Sequence, residues 1–508
     1  MEDFHVPGTQ IGDLDGKAMP VAETCTSCHE VEKGAAAFDG WEGSLMGIAG
    51  RDPLFKAQLA TATQDAPGVG YFCLRCHVPV SIATGHAADP KALDPVDADG
   101  VNCAFCHAMV DPKSTSLDDA PLLAKLVDRP KHYGNAQFVL DATRVWRGPY
   151  ELGDVTHPTR KSDFLKTSEM CGTCHEVGNP VTIRNADGTY SFDTLGTRAK
   201  DADPAAQFPL ERTFTEWRLS AFAKGGVDMA GRFGGDGGKV VSTCQDCHMP
   251  RTAAKGATFS ALRPDLARHD FAGASAWVLR IAAKEFLELD PEVLEVGATR
   301  AEAMVKKAAS LELSQLAKGL RVKVVNESGH KLPTGHIEGR RVWVSVRVLD
   351  AKGALLKAYG AYDPVTAELD EASTTVFEMH VGLSPIAAAL TGYPSGATTH
   401  MSLADTIVKD TRIPPRGFDS KAFAAAGAPT VGFPYVDGQH WAEVDYALPA
   451  GATLAQVTVF YQTVTKHYVE ALRTGNRTDA WGEKLHDLWT ATDKCPPIAI
   501  VSKELALR

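Results

Sequence analysis

Five Cys-x-x-Cys-His motifs contain ten of the eleven cysteines in this 508-residue chain. In such a motif the two thiols add across the vinyl groups of a porphyrin, and the adjoining histidine supplies the first axial nitrogen to its iron. The motifs therefore predict five covalently attached c-type haems. The predicted attachment pairs are Cys25 and Cys28, Cys73 and Cys76, Cys103 and Cys106, Cys171 and Cys174, and Cys244 and Cys247.

The proximal iron ligands follow from the same motifs. A structural zinc site would normally combine two Cys-x-x-Cys pairs, or one pair with two histidines at helical spacing, but five pairs do not divide into twos and each is followed directly by histidine. Bridges between cysteines three apart would constrain very little of the chain. The predicted proximal ligands are His29, His77, His107, His175 and His248.

A second axial ligand would close each iron, whereas a missing one would leave that iron accessible for chemistry. Seventeen histidines less the five in the motifs leave twelve, most of which must have ordinary roles. His157 precedes the fourth motif, His269 follows the fifth, and His330 lies in a loop bounded by glycine and proline. Met46 is a thioether candidate, although a methionine beside Leu45 and Ile48 is more typical of a core.

Composition limits the partners and the compartment. The net charge of −11 argues against nucleic-acid binding and favours basic redox proteins as partners. A membrane quinol-linked complex is the other expected partner. We find no run of about eighteen apolar residues that would span a bilayer. Because c-type haem is attached outside the bacterial cytoplasm, we expect a periplasmic or cell-surface protein whose signal peptide precedes this numbering. Cys495 remains as an odd cysteine, and the oligomeric state is not predicted.

The periodicity of apolar residues divides the chain into three parts. Residues 1–275 carry the motifs and predict a haem-rich domain of short helices and irregular segments. Residues 276–317 predict a helical connector, with Trp277 and Ile281 on one face and Val296 and Val305 on a second helix. Residues 318–508 alternate with a period of two, which predicts an antiparallel β-sandwich followed by a C-terminal helix.

The chain resembles the multihaem (pentahaem) c-type cytochromes that have a C-terminal β-domain, over nearly its whole length. The first half carries Trp41…Ser44-Leu-Met46, Arg51-Asp-Pro-Leu-Phe55 and Asp97-Ala-Asp-Gly100…Cys103. The resemblance continues through Met170-Cys-Gly-Thr-Cys-His175-Glu-Val, Cys244-Gln-Asp-Cys-His-Met-Pro250, Ser328-Gly-His-Lys-Leu-Pro-Thr-Gly335, Lys409-Asp-Thr-Arg-Ile-Pro-Pro-Arg-Gly417 and Tyr461-Gln-Thr463.

The resemblance implies ligands as well as architecture. Relatives commonly use the histidine of Gly-His-x-x-Pro-Thr-Gly as a distal ligand, which favours His330. In relatives, the histidines just before the fourth motif and just after the fifth are also distal ligands, which favours His157 and His269. Many relatives have histidine close to Met46, so methionine there implies a tuned or weakly held iron. His400 and His132 are the next distal candidates.

Three function hypotheses remain. The first is an electron-transfer protein that passes electrons through closely packed haems. The second is an oxidoreductase in which one haem of open coordination acts on a small nitrogen or sulfur compound. In multihaem reductases of nitrogen or sulfur compounds, the active haem often has lysine in place of the motif histidine. All five motifs here end in histidine, which counts against such a site. The third, a self-assembling surface wire, is disfavoured because about 230 residues carry no motif.

Overall fold

The computed structural model describes residues 2–15, 19–30, 37–85, 93, 97–153 and 155–508. Its N-terminal part consists of short helices joined by long irregular segments, as the sequence predicted. The helices are α1 Thr26–His29, α2 Ala37–Glu42, α3 Pro53–Asp65, α4 Val69–His77, α5 Pro79–Thr84, α6 Cys103–Ala108, α7 Ala120–Leu123, α8 Ser168–Gly172, α9 Thr213–Leu219 and α10 Cys244–His248. Single 3₁₀ turns cover Glu2–Phe4, Ala22–Cys25, Ala49–Arg51, Asp97–Asp99, Asp163–Lys166 and Pro204–Ala206.

Short strands connect these helices in two-stranded ladders. The ladders pair β1 with β2, β3 with β4, β5 with β8, β6 with β7, β9 with β10 and β11 with β12, and only β3 with β4 is parallel among them. The strands are β1 Met109–Val110, β2 Val139–Leu140, β3 Trp146–Gly148, β4 Thr159–Lys161, β5 Val177–Asn179, β6 Thr182–Arg184, β7 Tyr190–Phe192, β8 Phe208–Glu211, β9 Val227–Asp228, β10 Val240–Val241, β11 Arg251–Lys255 and β12 Leu262–Ala267.

The middle of the chain forms two helices, α11 Ala276–Glu285 and α12 Pro291–Lys307. Asp290 caps α12 by accepting hydrogen bonds from the backbone N–H groups of Glu292 and Val293. The buried face of α12 contains Leu294, Ala298, Ala301 and Val305, whereas Val296 is half exposed. Both residues lie on this second helix, as predicted, and Val305 is on its buried face.

The helical stretch is shorter than the sequence analysis predicted. Helix α12 ends at Lys307, and strand β13 occupies Ala309–Leu316, inside the predicted connector. The reason is visible in the sequence, because Leu311 and Leu313 alternate with Glu312 and Ser314. That period of two is typical of a strand with one buried face.

The C-terminal part is rich in β-structure. Its strands are β13 Ala309–Leu316, β14 Gly319–Asn326, β15 Arg341–Leu349, β16 Leu355–Tyr359, β17 Tyr362–Asp363, β18 Glu368–Leu369, β19 Val376–Leu383, β20 Gly396–Ala397, β21 Thr406–Asp410, β22 Trp441–Ala447, β23 Leu454–Gln462 and β24 Ile498–Ala506. Its helices are α13 Pro385–Thr391, α14 Ser420–Ala425, α15 Lys466–Gly475 and α16 Trp481–Thr490, and 3₁₀ turns cover Glu371–Ser373 and Met401–Leu403.

Two antiparallel sheets dominate this part. One has the order β13-β14-β22; the other has the order β20-β19-β15-β23-β24, with β16 paired to β15 and β21 paired to β19. Val322 and Val324 of the first sheet and Val344 and Val457 of the second belong to one buried cluster. The predicted alternating strands are thus present. The predicted C-terminal helix, α16, is followed by β24, which the sequence analysis missed.

A second buried cluster joins all three parts of the chain. Ile48 and Ala57 come from the motif-bearing part, Trp277 and Leu294 from the middle helices, and Leu472 from α15. The motif-bearing part therefore shares apolar packing with the C-terminal helices. Within the described ranges, no helix is both long and apolar enough to cross a membrane.

Candidate haem sites

Each motif lies on a short helix or a helical turn. Helices α1, α4, α6 and α10 end at or just after their motif histidine, and α8 continues as a turn in which the His175 N–H donates to the Cys171 carbonyl. Residues three and four apart share one face of a helix, so both thiols and the imidazole of a motif point to the same side. Capping side chains fix the start of two of these helices. The Asn102 side chain accepts a hydrogen bond from the Phe105 backbone N–H, and Thr243 forms a capping box with Asp246.

Three motif histidines face a second histidine. The ring centroids of His29 and His157 are 6.3 Å apart, those of His107 and His269 are 6.4 Å apart, and those of His248 and His330 are 6.4 Å apart. The angles between the ring planes are 36°, 25° and 17° respectively. The structure therefore places each of the three distal candidates that the sequence favoured opposite the histidine of a different motif.

These distances suit an iron between two imidazoles. Two metal–nitrogen bonds of about 2 Å in line place the nitrogens about 4 Å apart. Atoms of a five-membered ring with bonds near 1.33 Å lie about 1.1 Å from its centre, so coaxial rings on one metal have centroids about 6.3 Å apart. Direct packing of rings normally occurs at about 4.5–7 Å and does not select this value. Its repetition at three motifs is the observation that fits haem.

Hydrogen bonds hold several of these rings in the tautomer that binds iron. Nδ1 of His29 lies 2.8 Å from the Gly256 carbonyl, and Nδ1 of His248 lies 2.8 Å from the Ala272 carbonyl. A carbonyl only accepts, so Nδ1 carries the proton and Nε2 keeps its lone pair. The same contact joins His107 to the Arg147 carbonyl at 2.6 Å and His330 to the Lys331 carbonyl at 3.0 Å.

Burial keeps most of these imidazoles neutral. It lowers the pKa of His107, His248 and His330, and it lowers the pKa of His77 and of His269 to about 4 in each case. A neutral imidazole is the form that donates its lone pair to a metal. Nδ1 of His77 and Nδ1 of His157 are buried and have no hydrogen-bond partner among the residues that the structure describes.

His77 and His175 have different surroundings. Within the described part of the chain, no second histidine ring lies at the distance seen in the three pairs from either of them. The His77 ring instead stacks on Phe55, with centroids 3.5 Å apart and planes 2° apart. Nδ1 of His175 lies 3.1 Å from Oε1 of Glu211. Burial alone would lower the pKa of His175, but the hydrogen bond and charge of Glu211 raise it to about 9.

A buried ion network supports the loop that presents His330. The Lys331 ammonium lies 2.7 Å from Oδ2 of Asp410, and Arg412 bridges Asp410 to Glu216. Glu216 also accepts the backbone N–H of Lys331. Glu216 belongs to α9 of the motif-bearing part, whereas Lys331, Asp410 and Arg412 belong to the β-rich part. The network therefore anchors the His330 loop across the boundary between the two parts.

The remaining sequence candidates are not placed opposite a motif histidine by these ring contacts. Nδ1 of His132 lies 3.2 Å from Asp203, and both side chains are more than one-third exposed. Nδ1 of His400 lies 2.8 Å from the buried Asp65, and its ring packs on Tyr393. Met46 is half buried, and its carbonyl accepts from Val101, close to the third motif.

Contacts between cysteines of different motifs show which motifs are neighbours. The Cys25 side chain interacts with Cys103, Cys76 interacts with Cys174, and Cys171 interacts with Cys244. Cys106 also lies within electrostatic range of Cys171 and Cys174. The first motif therefore adjoins the third, and the fourth adjoins the second, the third and the fifth.

Sequence reasoning missed two groups near the second and fourth motifs. Glu211, at the end of β8, contacts His175, and no spacing pattern distinguishes it from other acidic residues. Nε2 of the half-buried His336 lies 3.0 Å from the Tyr468 hydroxyl, which also contacts Gln58. Burial lowers the pKa of His336 to about 4, with smaller effects of Arg340 and His77. The available signal for His336 was its position at the end of the Gly329-to-His336 loop.

No protein-family model and no curated protein matches the chain. Among solved structures, the chain is similar to a penta-haem cytochrome c552 from Thermochromatium tepidum. The identity is 18%, the match covers 96% of this chain and 99% of that one, and the TM-score is 0.53. The resemblance to pentahaem c-type cytochromes that the sequence predicted is thus confirmed at the level of the fold.

Proposed function

We propose that this chain is an exported multihaem c-type cytochrome that transfers electrons between redox partners. Its five motifs would each hold one haem, which supplies one-electron chemistry when bound. The proximal ligands would be His29, His77, His107, His175 and His248. The distal ligands would be His157 at the first motif, His269 at the third and His330 at the fifth.

The observation that carries this proposal is the repeated facing of two imidazoles at 6.3–6.4 Å. An iron with two protein ligands has no position for a substrate, but it can still gain and lose an electron. The cysteine contacts support a relay from the first motif to the third and the fourth, which branches there to the second and the fifth. The fold shared with a penta-haem cytochrome agrees with this arrangement.

The division of labour between the parts is also proposed. Residues 1–275 would form the haem domain, residues 276–317 a helical connector that ends in β13, and residues 318–508 a β-sandwich that supplies His330. The shared core around Ile48 and Trp277 supports a connector that packs against both ends of the chain. Partners would be basic redox proteins, because the chain is acidic, or a membrane quinol-linked complex.

The test is the composition and spin state of the purified holoprotein. Its intact mass should exceed that of the polypeptide by five haems, and a pyridine haemochrome assay should give the same number. Ferric spectra should be dominated by low-spin iron, with at least three low-spin haems. A protein with fewer than five haems, or with fewer than three low-spin irons, would contradict the proposal.

A second candidate is an oxidoreductase with one accessible iron. Its support is that no facing imidazole accompanies His77 or His175 among the described residues. The substrate would be a small nitrogen or sulfur compound. Met46 remains a proposed distal ligand, and His400 and His132 are weaker candidates. Carbon monoxide binding by the reduced protein would favour the enzyme, whereas its absence would favour the carrier.

A further inference from the structure

Glu211 is the carboxylate that contacts a motif histidine in the described part of the chain. Its Oε1 lies 3.1 Å from Nδ1 of His175. The corresponding Nδ1 atoms of His29, His107 and His248 contact backbone carbonyls instead. The fourth motif therefore differs from three others in the charge of its hydrogen-bond acceptor.

The backbone places Glu211 beside this motif. Strand β8 pairs with β5, which begins two residues after His175, and Glu211 is the register partner of Val177. The Phe214 N–H also donates to the His175 carbonyl, at 2.9 Å. The Glu211 side chain is only 18% exposed. The pairing of β8 with β5 therefore positions Glu211 beside His175, whose own side chain is 52% exposed.

Chemistry sets the direction of the hydrogen bond. When Nε2 of His175 binds iron, the remaining proton of the neutral imidazole is on Nδ1, so His175 donates and Glu211 accepts. Hydrogen bonds to an ionised acceptor are roughly twice as strong as those between neutral groups. A carboxylate therefore draws the proton more strongly than a backbone carbonyl does and makes Nε2 a more basic ligand.

A more basic axial ligand stabilises ferric iron relative to ferrous iron. We propose that Glu211 is a positioning residue that lowers the reduction potential of the iron bound to His175. Because the fourth motif adjoins the second, third and fifth, its haem would be a junction that passes electrons on without storing them. This inference rests on the proposed function, since it concerns a haem held by the fourth motif.

The test is a spectroelectrochemical titration of the full-length holoprotein with Glu211→Gln. The amide keeps the shape but removes the charge, so the ferrous-to-ferric ratio of one haem at a fixed potential should rise about tenfold, or ~59 mV for one electron. The negative charge of Glu211 also acts electrostatically on His77 of the second motif. A smaller shift in the same direction is expected at the second motif.

A second variant should act in the opposite direction. The Thr213 hydroxyl donates to the same Oε1 atom of Glu211, at 3.2 Å. Thr213→Val removes this competing donor and leaves the carboxylate a stronger acceptor for His175. The same potential should then fall. A purely structural role for both residues would move the two variants in the same direction.

Glu378→Gln is the matched control, because Glu378 is a buried carboxylate that pairs with His380 and does not contact a motif histidine. It should leave all five potentials unchanged. If five haems attach and neither Glu211→Gln nor Thr213→Val moves a potential, the inference is overturned while the proposed function stands. If Glu211→Gln fails to mature, the sign of the Thr213→Val shift decides. A wild-type protein that lacks the fourth haem would overturn both.

Discussion

His248 and His330 face each other with ring centroids 6.4 Å apart and planes 17° apart, although one belongs to a motif helix and the other to a loop of the β-rich part. The Lys331–Asp410 ion pair lies directly beside this loop and is almost completely buried. A candidate iron site thus depends on correct docking of two parts of the chain. This relationship gives the first two predictions.

His330→Ala should convert one haem from low-spin to high-spin while five haems remain attached. The reason is that the fifth iron would lose its distal nitrogen, whereas its thioether bonds and His248 would remain. Ferric absorption and electron paramagnetic resonance spectra measure the change. His440→Ala, at a half-exposed histidine outside the three pairs, is the control. An unchanged His330→Ala spectrum would show that the loop has only a structural role.

Asp410→Asn should destabilise the holoprotein by about 3 kcal/mol, because it leaves the buried Lys331 and Arg412 charges without their shared carboxylate. Thermal or denaturant unfolding measures this change. Glu483→Gln, which breaks the exposed pair with Arg473, is the control and should have little or no effect. Equal stability of the two variants would mean that the buried network does not hold the two parts together.

His157→Ala and His269→Ala should each produce one high-spin haem, at the first and the third motif respectively. Each replacement removes an imidazole that faces a motif histidine. His132→Ala, whose ring pairs with Asp203, should leave the spectrum unchanged. The assignment fails for either residue if its variant keeps the wild-type number of low-spin irons.

Met46→Leu should remove a weak charge-transfer absorption at the red edge of the visible spectrum and lower one reduction potential. Leucine keeps most of the packing volume but cannot donate a sulfur lone pair, and methionine ligation raises a haem potential. Magnetic circular dichroism detects the band. If the variant loses neither the absorption band nor the raised potential, Met46 is a core residue and not a ligand.

The stability of the β-rich part should fall with rising pH through His380. Burial by itself lowers the pKa of this histidine, but Glu338 and Glu378 outweigh it and raise the pKa from 6.5 to about 10. The proton is therefore bound more tightly in the folded chain, and its stabilisation is full below pH 6.5 and lost as the pH approaches 10. The melting temperatures of wild type and His380→Gln should differ most near pH 6 and converge near pH 10. A pH-independent difference would contradict the ion pair.

Local sequence patterns predicted the secondary structure better than they predicted contacts between residues far apart in the chain. Apolar spacing in residues 1–275 predicted short helices, and alternation at Val322 and Val324 predicted a buried strand. Alternation at Leu311 and Leu313 was equally visible, but it followed a strong helical pattern and was assigned to the connector. Strand β24 was missed because its apolar residues do not keep a period of two: Ile498 and Ile500 are followed by Val501 and Leu505.

The sequence identified His157, His269 and His330 as candidates but did not assign them to irons. His269 follows the fifth motif closely, yet it faces the histidine of the third. Spacing along the chain cannot predict such a pairing, because it depends on how the irregular segments between motifs fold back. Glu211 had no signal at all, since its contact with His175 arises from the pairing of β5 with β8.

In each of the three imidazole pairs the motif histidine comes first along the chain and its partner comes later. A polypeptide emerges from synthesis, and from export, beginning at its N-terminus. Haem attachment at the first, third and fifth motifs can therefore precede the arrival of the second imidazole. Each of these irons would pass through a maturation stage with only one protein ligand, and the fifth would leave that stage last, when the β-rich part folds.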